Sequence, residues 1–379
     1  MTSSTIKSQS ARGRLKHVAA SAALWLCLVL PSAYVIQRFL GTTILVIYFV
    51  VTAIVLAVLP FLKFQVSERR ARLFAVLTFA ALIALFAIVY PIANTHQPYV
   101  GSDDDDALNL AVRSLLHGHY PYYQRTYLDN LIHALPGALI IAAPFVLLGT
   151  SALQNLFWFG LLVFVLRREL AETFAALRWF LVMLLLSPVV IHQLVSGTEH
   201  VSNAIYAMLT LWWLIRARDK TLPAILWGVA LSSRANFLFL IPLAFGWLGK
   251  RYGWKNSVKW MGLTSITFAA ITLPFYFYDP AGFAPLDAGR RLTRFEYLLP
   301  HAAVVITASM ALLSIALGLL PMKSRASLWL RCALVQAFPV IVGTLLGGGL
   351  LYLAYSTMFL PFGVLAAATH EKDCSPDSD

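Results

Sequence analysis

Four aspartates stand side by side at Asp103, Asp104, Asp105 and Asp106, and no other stretch of the chain concentrates as much potential chemistry. Like charges this close repel, so each carboxylate raises the pKa of its neighbours. Such a run can cap a helix and favour its dipole, a task for which one or two acids suffice. It can also be catalytic, with one carboxylate as a general base and a second holding a metal ion or an acceptor. Spacing alone leaves both uses open. Arg234 is the next residue of interest, because it interrupts the apolar stretch 222–249. A charge at such depth is costly and usually functional; the bland account is snorkelling at a helix end or pairing with Glu199. Glu199 and His200 occupy a polar turn between two apolar stretches, placed either to touch a ligand or to cap the helix beginning at Val201. Arg290, Arg291 and Arg294 form a basic cluster in DAGRRLTRFEYLL, suited to a phosphate, an acidic acceptor or plain solvation.

These residues need a scaffold, and composition says of what kind. The chain of 379 residues is 59% hydrophobic and 12% charged, with a mean hydropathy of +0.74. A soluble domain carries about a quarter charged residues. A membrane-spanning helix needs roughly 20 predominantly apolar residues, and such stretches recur at 18–36, 41–62, 72–92, 150–166, 177–195, 200–215, 257–277, 299–320, 329–346 and 348–368. The series implies an all-α, polytopic transmembrane helix bundle. The net charge of +12 lies in short clusters between apolar stretches, as the positive-inside rule requires, which excludes nucleic acid as the natural partner. Cys27, Cys332 and Cys374 have neither a disulfide framework nor a zinc spacing.

The basic clusters set the expected topology. Lys7, Arg12, Arg14 and Lys16 place 1–17 in the cytoplasm. The first apolar stretch lacks a small-residue cleavage site and a second follows at once, so it reads as an uncleaved anchor. Lys63, Arg69, Arg70 and Arg72 mark a second cytoplasmic loop, and the third span then delivers 93–130 to the outside, the periplasm in a bacterium. The later clusters, at Arg167 and Arg168, Arg216, Lys250, Arg325 and Arg331, all fall inside under two conditions. Residues 131–149 must be re-entrant, and 222–249 must form a hairpin turning outside near Arg234. About twelve spans then cross between 18 and 368, with 369–379 as a cytoplasmic tail. The outer face gathers 93–130, 196–202, the Arg234 turn and 278–298. Within the first of these, Leu108, Val112 and Leu115 predict an amphipathic helix along the membrane surface, with Asn109 and Arg113 on its polar side.

In order along the chain, Gly101, Asp103 and Asp104, Leu115 and Leu116, Gly118, Pro121 and Tyr122, then Leu135, Pro136 and Gly137, and finally Leu148 and Gly149 resemble the first outer loop of GT-C glycosyltransferases. The likeness continues through SGTEHVSNAIYAMLTLWWLIRAR and GVALSSRANFLFLIPLAFGW and covers about 72–250; the remaining helices match in general character. Two features depart from the family: Ala107 stands where relatives usually carry an aromatic residue, and two spans rather than one precede the acidic loop. The resemblance implies a GT-C-like bundle that moves a sugar from a polyprenyl-phosphate donor to a cell-envelope glycan, lipid or protein acceptor. That reaction would run on the outer face of a bacterial inner membrane, among membrane lipids. The resemblance further implies Asp103 as the general base and Asp104 as its supporting acid. Arg234 would be the first choice for the leaving phosphate, with Glu199, His200, Arg290, Arg291 and Arg294 as further substrate contacts. A divalent cation (Mg2+ or Mn2+) would sit on Asp103 and Asp104. Two other classes stay open. A transporter or flippase of lipid-linked or small solutes would share the helix count, but such proteins often show internal repeats, and this chain has none. An O-antigen polymerase or ligase depends on a large, late outer loop with paired arginines, longer than 278–298.

Overall fold

The computed structural model describes residues 21–59, 66–96 and 102–373. Lys7, Arg12, Arg14, Lys16, Lys63, Gly101 and the tail from Cys374 lie outside them. Among the described residues every regular element is a helix and no strand occurs. The chain begins with a long apolar helix, α1 (Ser21–Val58). There follow α2 (Glu68–Ala93), α3 (Asp104–Leu116), α4 (Pro136–Leu147), α5 (Gln154–Leu170), α6 (Thr173–Leu186) and α7 (Pro188–Ser196). After the next turn come α8 (His200–Arg216), α9 (Thr221–Leu231), α10 (Ile241–Tyr252), α11 (Trp254–Tyr278), α12 (Ala302–Leu319), α13 (Arg325–Gly343) and α14 (Leu360–Asp373).

Gly41 breaks α1, at a positive φ of 84° that glycine adopts without strain. Trp25 Nε1 donates to Thr52 Oγ1 at 3.1 Å across that break. A straight helix would hold these residues about 40 Å apart, so the two arms fold back on one another. Their described residues, Ser21–Val58, fall largely within the expected stretches 18–36 and 41–62. Proline and short loops bend other segments: α4 meets the helix running from Ser151 to Leu170 at 99°, and α6 meets α7 at 81°. Among the described residues, five helices are long and apolar enough to cross a membrane, or up to eight segments if each bent pair counts once. The expected number of spans is larger because it also counts α8, α9 and α10, which have only 17, 11 and 12 residues, and both arms of α1.

The exterior is apolar where a soluble protein would be polar. Leu73, Val76, Ile83, Ile88 and Ile92 all lie exposed along α2. Apolar surface of this extent, on helices long enough to cross, is what acyl chains cover. The interior is closely packed, with Phe159, Phe180, Tyr206, Trp227, Trp329 and Phe362 in one fully buried cluster. Small residues bring backbones together: a Cβ on Gly246 would meet Gly318 O at 2.1 Å, which ties α10 to α12.

Long-range polar contacts collect at two opposite ends. At one, Glu68 at the start of α2 accepts from Thr173 at 2.7 Å, and Glu169 at the end of α5 pairs with Arg216 at 2.6 Å and Arg325 at 3.3 Å. Lys372, near the end of α14, donates to Glu169 O there. At the other, Tyr90 at the end of α2 bonds Asp105 and Thr150, Arg234 meets Glu199, and Tyr123 meets Asp279. Residues 131–149 enter and leave at this second end. Leu135 N donates to Ser233 O and Gly137 N to Ser232 O, next to Arg234, while Thr150 returns to Tyr90. The 12 residues of α4 span about 18 Å, short of a bilayer core.

Candidate functional site

Helix geometry turns each successive residue by about 100°, and this disperses the four aspartates at the start of α3. Asp103 Oδ2 accepts from Thr126 Oγ1 at 2.6 Å and from Asn130 Nδ2 at 2.8 Å, and so fastens the 126–130 loop. Asp104 Oδ2 accepts from Ser102 Oγ at 3.1 Å and lies 3.9 Å from His200 Nε2. Asp105 Oδ2 accepts from the Tyr90 hydroxyl at 2.5 Å and from Asn94 Nδ2 at 2.6 Å. Asp106 Oδ2 accepts the backbone N–H of Tyr127 at 3.1 Å. Capping therefore accounts for little of the run. Asp103 occupies the N-cap position without a side-chain capping bond, and the Asp104 N–H instead donates to Ser102 Oγ. The apolar face of α3 buries Leu108, Ala111 and Val112, whereas Leu115, expected on that stripe, is exposed. Asn109, expected on the polar side, accepts the N–H of Ser151 at 2.8 Å and holds α3 to the start of α5.

Asp104 faces a second polar group brought in by α8 and the turn after α9. Glu199, at the N-cap of α8, makes no side-chain cap bond; its Oε1 accepts from Arg234 Nη2 at 2.6 Å. Asn203, one turn into α8 and with its amide turned to satisfy its neighbours, accepts from Arg234 Nε at 3.0 Å and donates to Glu199 O. The Arg234 side chain keeps 17% exposure while that of Glu199 keeps 3%. Of the two sequence-level accounts of Arg234, pairing with Glu199 is realised. Burial, and next the charge of Asp104, push the Glu199 carboxyl up to about 8 against the pull of Arg234. The structure thus brings together Asp104, Glu199, His200 and Arg234, with Asp103 one residue away but turned toward the loop.

The later basic cluster approaches along an aromatic line. His200 lies 5.2 Å from the Tyr355 ring, Tyr355 lies 6.3 Å from Tyr352, and the Arg294 guanidinium stands over Tyr352 at 5.6 Å. Arg290 and Arg291 belong to the 3₁₀ helix Ala284–Phe295, and their side chains lie outside the described residues. Asp103 and Asp104, expected as metal ligands, engage different partners. Among the described residues no three His, Cys, Asp or Glu side chains gather to hold a metal ion. Trp212 donates its indole N–H to Glu169 Oε1 at 2.5 Å.

Sequence reasoning missed Asp105 and its clamp. The residue is 1% exposed, and its Oδ1 has no hydrogen-bond partner among the described residues. Burial pushes the Asp105 carboxyl up to about 6, with the charge of Asp104 adding to the push and the bonds from Tyr90 and Asn94 opposing it. The one available signal was the pairing of polar Tyr90 and Asn94 at the end of an apolar run. Comparison with family models, with curated proteins and with solved structures found no match to this chain. The likeness to GT-C enzymes therefore stands on the order of the sequence motifs.

Proposed function

We propose that this chain is an integral membrane glycosyltransferase that moves a sugar from a polyprenyl-phosphate donor to a cell-envelope acceptor. The observation that carries the reading is the meeting of a carboxylate and a held arginine at one end of an apolar bundle. Asp104 lies across from the Arg234–Glu199 pair, with His200, the residue after Glu199, 3.9 Å from the Asp104 carboxylate. Sugar transfer from a lipid phosphate needs both charges. A carboxylate takes the proton of the acceptor hydroxyl as its oxygen bonds to the anomeric carbon. The bond from that carbon to the phosphate oxygen breaks, and a guanidinium offers paired donors to the departing phosphate. Asp103 is the candidate base by its place in the motif; Asp104 is favoured by its approach to His200, at 3.9 Å beside the Arg234–Glu199 pair, whereas Asp103 turns toward Thr126 and Asn130.

The arrangement of contacts at two ends supports a topology of about twelve crossings. In it the arms of α1 form the first two, α4 is re-entrant and α5 crosses alone, the other bent pairs are single crossings, and α9 with α10 is the hairpin turning at Arg234. The basic end then faces the cytoplasm and the acidic end the outer side, within a bacterial inner membrane.

The deciding experiment offers a panel of radiolabelled polyprenyl-phosphate sugars, with native envelope lipids and glycans, to membranes containing the wild-type chain. Asp104→Asn and Arg234→Ala are each expected to cut label transfer by about a hundredfold or more at unchanged expression. Asp103→Asn is expected to lose less. No transfer from any donor by the wild type, or full transfer by both variants, would sink the proposal.

A further inference from the structure

At the end of the bundle opposite the acidic cluster lies a cavity of about 520 Å³, lined by Arg216, Arg251, Lys323 and Arg325 together with Trp247 and Tyr252. It is separated from His200 by the length of α8, about 24 Å. Four cations around one cavity need an explanation, and two are readily explained. Arg216 and Arg251 stand in the last turns of α8 and α10, where the helix dipole favours positive charge. Lys323 and Arg325 stand at the start of α13, where the dipole disfavours a cation and favours an anion. Among the described residues Glu169 is the carboxylate paired to the cluster, at 2.6 Å from Arg216 and 3.3 Å from Arg325. It leaves the cavity strongly positive. The Arg251 guanidinium lies 3.9 Å from the Trp247 ring centroid, which fixes one face and leaves its N–H edge to point elsewhere. Lys220 adds charge behind the cavity wall, 4.3 Å over the Tyr252 ring.

We propose that this cavity binds a phosphate-bearing anion. A phosphate group answers every feature of the lining. Its oxygens accept from guanidinium forks, its charge suits the positive start of α13, and an aromatic wall tolerates the carbon next to it. The cavity opens at the basic end of helices that carry an apolar exterior, so the phosphate has two sources, an anionic lipid headgroup or a soluble phosphate.

The test uses the full chain in neutral detergent micelles. Native mass spectrometry after doping with equal phosphatidylglycerol and phosphatidylcholine reads the lipid source. Thermal unfolding in inorganic phosphate against chloride at matched ionic strength reads the soluble one. Preferential retention of phosphatidylglycerol assigns a headgroup; a shift with phosphate alone assigns a soluble ligand. Either effect is expected to weaken roughly thirtyfold in the Arg251→Gln/Lys323→Gln double variant, which removes two cations near the surface. Both residues are exposed, so the fold should survive. Arg251→Lys/Lys323→Arg is expected to retain binding. No preference in either measurement, an effect undiminished in the glutamine variant, or its loss in the charge-conserving one would each overturn the proposal.

Discussion

Asp105 is the aspartate of the run most removed from water, and its charge has consequences for stability. Its folded pKa of about 6 lies above the ordinary 3.8, so the folded chain holds that proton more tightly than the unfolded one. The stability this group contributes is therefore greatest below 3.8 and is lost as pH rises from there through about 6. The effect is on the order of 1–3 kcal/mol for a shift of this size. Unfolding temperatures measured across that window should show the decline in the wild type and a shallower one in Asp105→Asn, where the raised Glu199 carboxyl still contributes. A variant that keeps the full slope would place the titrating group elsewhere. The neighbourhood leaves little room for relief: Gly197 ends α7 at a positive φ of 74°, and a Cβ there would meet Asp105 Cγ at 2.7 Å. The residue types of the site are legible in the sequence, but the choice among the aspartates is not. That choice is the phase of α3 about its own axis, fixed by Tyr90, Asn94 and Ser151. Tyr90, at the end of an apolar run, looks like any interfacial tyrosine.

Among the elements, α4 shows how backbone contact builds the acidic end. A Cβ at Gly137 would meet Val229 O at 2.3 Å and Ser232 C at 2.6 Å, and both are backbone atoms that cannot swing aside. The Gly137 N–H also donates to Ser232 O, so α4 is pressed against the end of α9, two residues before Arg234. Gly137→Ala should lower stability by about 1–3 kcal/mol, the usual cost of forcing atoms into a packed site. It should also displace the Arg234 turn. Thermal unfolding in micelles reads the first effect, and faster proteolysis near 232–236 reads the second; an unchanged melting temperature would show that the two helices separate freely. Helices of this kind are largely legible in sequence because each apolar run is long and ends in Gly, Pro or charge. The arms of α1, the limits of α8 and the extent of α11 follow that pattern. The bends are harder to read, because the 99° and 81° angles depend on which neighbour receives the helix end.

For the whole molecule, Glu169 is the counterpart of the acidic cluster at the far end. Its side chain is fully buried and gathers Arg216, Arg325 and the Trp212 indole, while its backbone carbonyl accepts from Lys372. Four helices, α5, α8, α13 and α14, are joined through this one residue. Glu169→Gln removes the charge that two arginines share; each arginine keeps over a third of its side chain in solvent, so the cost is about 1–3 kcal/mol. A clear drop in the unfolding temperature of the purified chain is expected; a drop no larger than that of an exposed substitution would mean the arginines are satisfied by solvent. The basic residues around this end are visible in the sequence, but Glu169 sits inconspicuously beside Arg167 and Arg168, and nothing local marks it as their common anchor. The acidic end has its own form of coupling. Asp103 is fastened to the 126–130 loop, Asp104 faces α8, Asp105 is clamped by α2, and Asp106 holds the N–H of Tyr127. One codon gained or lost within that run would turn the carboxylates by about 100° and give each the wrong partner. A repetitive tract, the kind of sequence in which replication slips most readily, is here a ratchet whose tooth count is set by three separate parts of the molecule, the 126–130 loop, α8 and the end of α2.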